Sequence, residues 1–435
     1  MKTAERLEIS TPGRLTKRWQ LALLVSVGFG GIFSLSALGP LQETMTHALS
    51  LSDNEMALLQ GPAMSLPTLL LMLPIGFTID HYSRARILLI CSVLSLIGSV
   101  LTLVAPNLVA LFAARATVGV AVTAMTIATY SLLADYYAPE QRGRAKAAVI
   151  LGQYAGKSAA FALGGVLLAM YGSGPDAWRQ AMMWLSVPPA VVCLLALTIR
   201  ETPRTGTVIR NPSLKQTLHE IWRFRSVIVP LTIGVAIIDF PFVAALTWAA
   251  PVLSRNFSLS PDKVGGIIAT ILLVSGLCGP VIGGSLADWC QRARRTRRNM
   301  LVLGSLMLIS VPASLFAVVA DLTFATVLLL LFVISSGAAL SMGMTLFTVI
   351  VPNELRGVCL SILTMINLVF AGAMSPLAVS LLSQAMGGPT MLGKSLMVTC
   401  AFAGLISAAI FAFASQTVPQ ARETMGLLRE QTSAS

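Results

Sequence analysis

Three ionisable residues of this chain stand inside long apolar runs, where an unpaired charge is expensive: Arg115, Lys157 and Asp239. Lys157 lies in the stretch 145–170, roughly 18 Å from its nearer basic end at a helical rise of about 1.5 Å per residue. A lysine side chain cannot reach the headgroups from that depth, and a charge there costs about 2.5–3.5 kcal/mol unless it meets a cavity or a partner. Asp239 lies roughly 20 Å into the stretch 226–252, and Pro241 just after it loosens the helix and frees carbonyls. Such groups can pair with a charged solute, and a carboxyl can also take up and release a proton. Asp239 therefore reads either as a proton site or as the structural counter-ion of Lys157 or Arg115. Arg115 heads a line of Gly119, Thr123, Thr126 and Tyr130 at spacings of 4, 4, 3 and 4, which puts all five on one helix face. That face suits a cavity wall, with interhelical threonine hydrogen bonds as the alternative.

The elements that must hold these residues follow from composition. Of 435 residues, 55% are hydrophobic and only 11% charged, against about a quarter charged in soluble domains. This excludes an ordinary soluble enzyme and a disordered chain. Spanning hydrocarbon takes about 20 apolar helical residues. Twelve such stretches are found: 19–42, 56–80, 86–106, 108–135, 145–170, 181–199, 226–252, 264–287, 299–320, 323–351, 357–385 and 393–416. The first is too long for a signal-peptide core and is read as a retained helix.

The expected fold is all-α, with twelve transmembrane helices in two six-helix bundles. Residues 1–200 form the first bundle, 201–225 a linker, and 226–435 the second bundle with a short tail. The linker segment His219–Arg225 mixes basic and aromatic residues and reads either as a helix at the membrane surface or as a solvated strap. The net charge of +12 is accounted for by basic loops, not by nucleic acid. With the N-terminus inside, twenty-four Lys and Arg fall in inside segments and four outside, so both termini are expected in the cytoplasm. The membrane is read as a bacterial inner membrane and the protein as a monomer. The three His and six Cys show neither CxxC nor HxxxH spacing, so no metal or other cofactor is expected.

The halves repeat. Leu51-Ser52 and Gly76-x-x-x-Asp80 return as Leu259-Ser260 and Gly284-x-x-x-Asp288 at an offset of 208, each trailed by basic residues such as Arg84. Glu140-Gln-Arg142-Gly143 returns as Glu354-Leu-Arg356-Gly357 at 214, and the same offset relates Gln153 to Asn367, so these two are expected to face each other across a two-fold axis. Internal repeats in membrane bundles mark transporters, whose solute site lies near the midplane.

The stretch Gly76-Phe-Thr-Ile-Asp80-His-Tyr-Ser-Arg84 resembles the loop 2–3 signature of the major facilitator superfamily, with His81 and Ser83 in place of the usual Arg and Gly. Leu111-x-x-x-Arg115-x-x-x-Gly119 resembles that superfamily's second motif. The segments Leu51–Gln60 and Ala134–Ala145 resemble the spinster-like branch of lipid and organic-anion carriers, although Val122 stands where that branch has an acidic residue. The resemblance implies alternating access around a central cavity. It also implies a cytoplasmic gate of Gly76, Asp80, Arg84, Arg142, Gly284, Asp288 and Arg356, in which the carboxylates pair with Arg and cap neighbouring helix N-termini. Gly143, Gly152 and Gly156 resemble the antiporter motif of drug exporters, but Lys157 replaces its Pro, which argues against a cation-accepting antiporter.

Two cations against one carboxylate leave an excess of +1 if all three share the cavity. The expected function is thus secondary transport of a small organic anion, proton-linked through Asp239 and Arg115. Its substrate site is expected at Lys157, Arg115, Tyr130, Gln153, Asn367 and Thr126. Export of lysolipids or amphipathic drugs is the alternative, and a receptor without transport a more distant one. No nucleophile–base set supports an enzyme, and no G-x-x-x-x-G-K-[ST] loop supports an ATP-driven pump.

Overall fold

In hydrocarbon every backbone N–H and C=O must be satisfied within its own segment, so apolar runs of this length become helices. The structure, a computed structural model, describes residues 14–172, 174–203, 222, 225–292, 296–351 and 353–433. Eleven helices there are long and apolar enough to cross a membrane. In chain order they are α1 (Lys17–Ala48), α2 (Asp53–His81), α3 (Arg84–Val104), α4 (Leu108–Tyr136), α6 (Ala177–Ala196), α7 (Ile228–Phe257), α8 (Pro261–Arg292), α9 (Arg297–Ala317), α10 (Leu322–Ile350), α11 (Gly357–Ala385) and α12 (Pro389–Gln416). The twelfth, α5 (Pro139–Tyr171), is as long as the others but less apolar, because Gln153, Tyr154, Lys157 and Ser158 interrupt it. The helix that carries Lys157 is thus the least oily of the set.

Helix ends follow capping chemistry. Ser52 and Glu55 form a reciprocal capping box at the start of α2, and Asn107 and Asp321 cap α4 and α10 through Ala110 and Phe324 N–H groups. Interruptions sit at prolines. Pro40 has no N–H to offer the Ser36 carbonyl, and α1 bends at Ala37. In α2 the break falls at Gly61, just before Pro62. In α11 residues Leu368–Met374 form a π-helix directly ahead of Pro376, whose ring and missing N–H disturb the preceding turn.

Each half buries two apolar clusters, one toward the face bearing the basic loops (the basic face) and one toward the opposite, far face. The two basic-face clusters are separate, one in each half. The far-face cluster of the second half, by contrast, takes in Ala57 and Phe161 from the first. The halves therefore meet on the far side and part on the basic side. Across the closed side α5 and α8 approach so tightly that a Cβ on Gly165 would stand 2.5 Å from the Pro261 carbonyl oxygen, and one on Gly265 would stand 2.5 Å from that of Phe161. Ser158 donates to the Ala269 carbonyl at 2.7 Å a turn further in.

The first bundle also claims residues from the start of the expected linker. Glu201 accepts hydrogen bonds from Ser83, Arg84 and the Ala85 N–H, which fastens it to the head of α3. Of the segment His219–Arg225, only Trp222 and Arg225 fall among the described residues.

Candidate functional site

At 3.6 residues per turn α5 presents four distinct faces. Gly152, Gly156 and Gly164 lie against Val25, Phe29 and Pro40 of α1. Tyr154, Ser158 and Gly165 lie against Gly276, Ala269 and Pro261 of α8. Leu151 and Val166, on the outer arc, are exposed as lipid-facing residues are. Lys146, Gln153 and Lys157 fall on the remaining arc, between the α1 and α8 faces, which points to the space between the bundles. Lys157 is half-buried, not sealed. Asp239 of α7, also half-buried, lies within electrostatic reach of Lys157 from the other bundle, and Tyr154 stands in the same field. Among the described residues no ion pair within 4.0 Å joins Lys157 to Asp239. The arrangement is two opposite charges, one from each bundle, near enough to influence each other and not joined in an ion pair.

Arg115 is not part of it. Its side chain has no exposed surface, and one guanidinium nitrogen rests on the Leu35 carbonyl at 2.7 Å and the Met64 sulfur at 2.8 Å. The other two nitrogens have no hydrogen-bond partner. The cause is local: Gly119, one turn on, lets α4 approach the Met64 backbone of α2, so this part of the polar line is turned into the bundle. The expected excess of +1 from Arg115 and Lys157 in one cavity is therefore corrected, since the two cations do not share a cavity.

Further along the same line the face opens. Tyr130 is half-buried; its hydroxyl points to Gln153 Oε1 at 3.5 Å, and its ring lies 5.0 Å under the Lys146 ammonium. Thr126 is half-buried and bonds its own helix at the Val122 carbonyl. Gln153 thus turns to its own bundle, and among the described residues no hydrogen bond joins it to Asn367. Asn367 heads the π-helical segment with its Oδ1 buried and unpartnered.

On the basic face the expected gate stands apart. Asp80 and Asp288 are exposed and form no ion pair among the described residues, and a Cβ on Gly76 or Gly284 would meet open space. Arg84 is buried and pairs with Asp135 and Glu201 instead of Asp80. Arg142 donates to the Tyr137 carbonyl at 3.0 Å, and the side chain of Arg356 lies outside the described residues. Asp135 and Glu201 were not anticipated from the gate motif. The signal for Asp135 was its place in the Ala134–Ala145 segment; Glu201 carried none.

On the far face the reading of sequence missed an inter-bundle ion cluster. Arg255 of α7 makes two bonds to Asp53 of α2, at 2.7 and 2.9 Å, and reaches Glu43 of α1 at 2.8 Å. Asn54 bonds Gln384 of α11 beside it. These residues floor a cavity of about 580 Å³ open to the far side.

The sequence profile of the Major Facilitator Superfamily matches residues 24–376. The chain belongs to the Major Facilitator Superfamily. Among solved structures, a bacterial homolog of the human lysosomal transporter Spinster, in an inward-facing and unoccupied conformation, superposes with a TM-score of 0.83 at 22% identity, covering 94% of this chain and 99% of the other. A D-xylose–proton symporter gives 0.69 at 16%, covering 91% and 97%. Among sequence relatives, a triacylglyceride transporter of Mycolicibacterium hassiacum is 34% identical over 137 residues, which is 31% of this chain. The match spans 24% of that relative's length. As a superfamily member the chain is a multi-pass membrane transporter.

Proposed function

We propose that this transporter carries an organic anion across the membrane, with the anionic group held by Lys157 and a proton exchanged at Asp239. One observation carries the reading: a half-buried lysine and a half-buried aspartate, from opposite bundles, flank the central space without closing on each other. An ammonium in hydrocarbon needs a partner, and an incoming anion can supply it as Asp239 takes up a proton. Empty, the pair keeps the midplane neutral. Loaded with anion and proton it is neutral again, so both states can cross between the two access conformations without exposing net charge to lipid. In this reading the basic face is cytoplasmic, as its Lys and Arg content requires, and the conformation described is open to the cytoplasm.

A lipid-like cargo is the second reading. It is favoured by the sequence relative that carries triacylglyceride, and by aromatic side chains such as the tilted pair Phe240, next to Asp239, and Phe370, 4.8 Å apart. The two readings differ in what accompanies the anionic group.

In purified proteoliposomes, uptake of a panel of organic anions should respond to an imposed pH gradient. Lys157→Gln should abolish that uptake, and Asp239→Asn should leave exchange of preloaded anion while removing the response to the gradient. Undiminished, gradient-driven anion uptake by Lys157→Gln would overturn the assignment.

A further inference from the structure

We infer that Lys146 is a first anion station at the cytoplasmic mouth, placed on the same rail as Lys157 and held inward by Tyr130. The inference rests on the anion reading above and adds the route by which the anion arrives. Lys146, Gln153 and Lys157 are spaced by 7 and 4 residues, two turns and then one, so they form a single line along the arc of α5 that faces the space between the bundles. The line climbs roughly 16 Å from the mouth to the midplane.

Lys146 differs from the neighbouring surface cations. Its ammonium lies 5.0 Å above the Tyr130 ring, across on α4, and Tyr130 in turn aims its hydroxyl at Gln153. A cation held over an aromatic face is attracted by the ring quadrupole by about 0.5–1 kcal/mol at exposed sites. That is enough to bias a long side chain toward the cavity, away from the headgroups. Among the described residues Lys146 has no carboxylate within ion-pair distance, so its charge is available to a ligand. The matching line on α11 carries no carboxylate to cancel it: under the 214 offset that relates Gln153 to Asn367, the position matching Lys146 is Leu360 and that matching Lys157 is Ala371. The line is basic on α5 and uncharged on α11.

The charge count of the open cavity changes accordingly. Arg115 is withdrawn into its bundle, but Lys146 and Lys157 against Asp239 give the excess of +1 that attracts an anion. A basic mouth concentrates anionic solute and accelerates its arrival, an effect that falls with ionic strength. An anionic headgroup with an alkyl chain would sit first on Lys146, then advance past Gln153 to Lys157.

The test is stopped-flow binding of octyl phosphate to the full chain in nanodiscs, with octylammonium as the opposite-charge control, at low and high salt. Lys146→Gln should lower the association rate on the order of tenfold at low salt, with little change in dissociation, and should flatten the salt dependence. Tyr130→Leu, which frees the ammonium, should act in the same direction, and Tyr130→Phe, which keeps a ring under it, should not. Lys157→Gln should mainly speed dissociation. If Lys146→Gln associates at the unmodified rate while Lys157→Gln is impaired, the station is refuted and the anion reading stands. If Lys157→Gln also binds normally, or if the unmodified protein prefers octylammonium, both fall.

Discussion

Arg84 shows how one buried guanidinium organises a corner of the basic face. It is 2% exposed and meets two carboxylates, Asp135 from the end of α4 and Glu201 from beyond α6, while also donating to the Thr202 carbonyl at 2.8 Å. Burial pushes the Glu201 carboxyl up, but the Ala85 N–H, the Ser83 hydroxyl and Arg84 together hold it below the ordinary carboxylate range. A carboxyl whose folded pKa is depressed stabilises the fold above its unfolded value, near 4.3, and loses that contribution as pH falls through the folded value. Glu201→Gln should therefore lower the melting temperature in detergent at pH 7, and the gap to the unmodified protein should close as pH is taken from about 5 toward 3. A gap that does not change with pH would remove the ionised carboxylate from the account. Arg84 was legible in the sequence as part of a loop motif, but its partners were not, because a motif gives neighbours along the chain and the clamp is closed by residues 51 and 117 positions away. Arg115 failed for a related reason. Depth in the membrane can be read from a helical rise; the direction a side chain points depends on which neighbour packs closest, and Gly119 settles that only once α2 is in place.

At the scale of elements, close packing decides where the bundles touch. The small residues Gly152, Gly156, Ala160 and Gly164 recur at four-residue spacing, and their glycines pack against α1 of the same bundle. The contact between bundles uses Gly165 and Gly265 instead, and Gly61 and Gly372 on the other flank. A Cβ on Gly61 would stand 2.9 Å from the carbonyl oxygens of both Gly372 and Ala373, and one on Gly372 would stand 2.6 Å from Ser65 Oγ. Here the break in α2 faces the π-helical turn of α11, so two irregular segments meet at one level. The π-helix was not read from sequence, since Pro376 gives a proline inside a span and not the way the helix absorbs it. Backbone oxygens cannot rotate aside as a side chain can, so Gly265→Ala should force α5 and α8 apart on the far side. A cysteine at Ser158, whose hydroxyl now rests on the Ala269 carbonyl, should then react faster with a membrane-impermeant maleimide added from the far side. Equal labelling in both backgrounds would mean that the seam yields elsewhere.

For the whole molecule, the balance between the two access states is set by what holds each side shut. On the basic face Asp80 and Asp288 are exposed and apart, so in this conformation closure falls to the far face. There Arg255, with 24% of its side chain exposed, joins α7 to Asp53 and Glu43, which are 10% and 20% exposed. Both carboxylates belong to the first bundle and the cation to the second, so separating the bundles strands two negative charges beside each other and one positive charge opposite. A half-buried, doubly bonded arginine lies between the exposed pairs worth about 0–1 kcal/mol and the buried ones whose rupture costs about 3–5 kcal/mol. Arg255→Gln should accordingly favour the far-open state by roughly 1–3 kcal/mol, a shift of about 5- to 150-fold in the ratio of states. Spin labels at Ser50 and Ser258, on the far-face loops of opposite bundles, should show a longer-distance population in that variant. Adding Glu43→Gln and Asp53→Asn to it should return part of the short-distance population, because the stranded carboxylates no longer repel. If the distance distribution stays as in the unmodified protein, the ion cluster is a consequence of closure, and the glycine seams alone hold the far side shut.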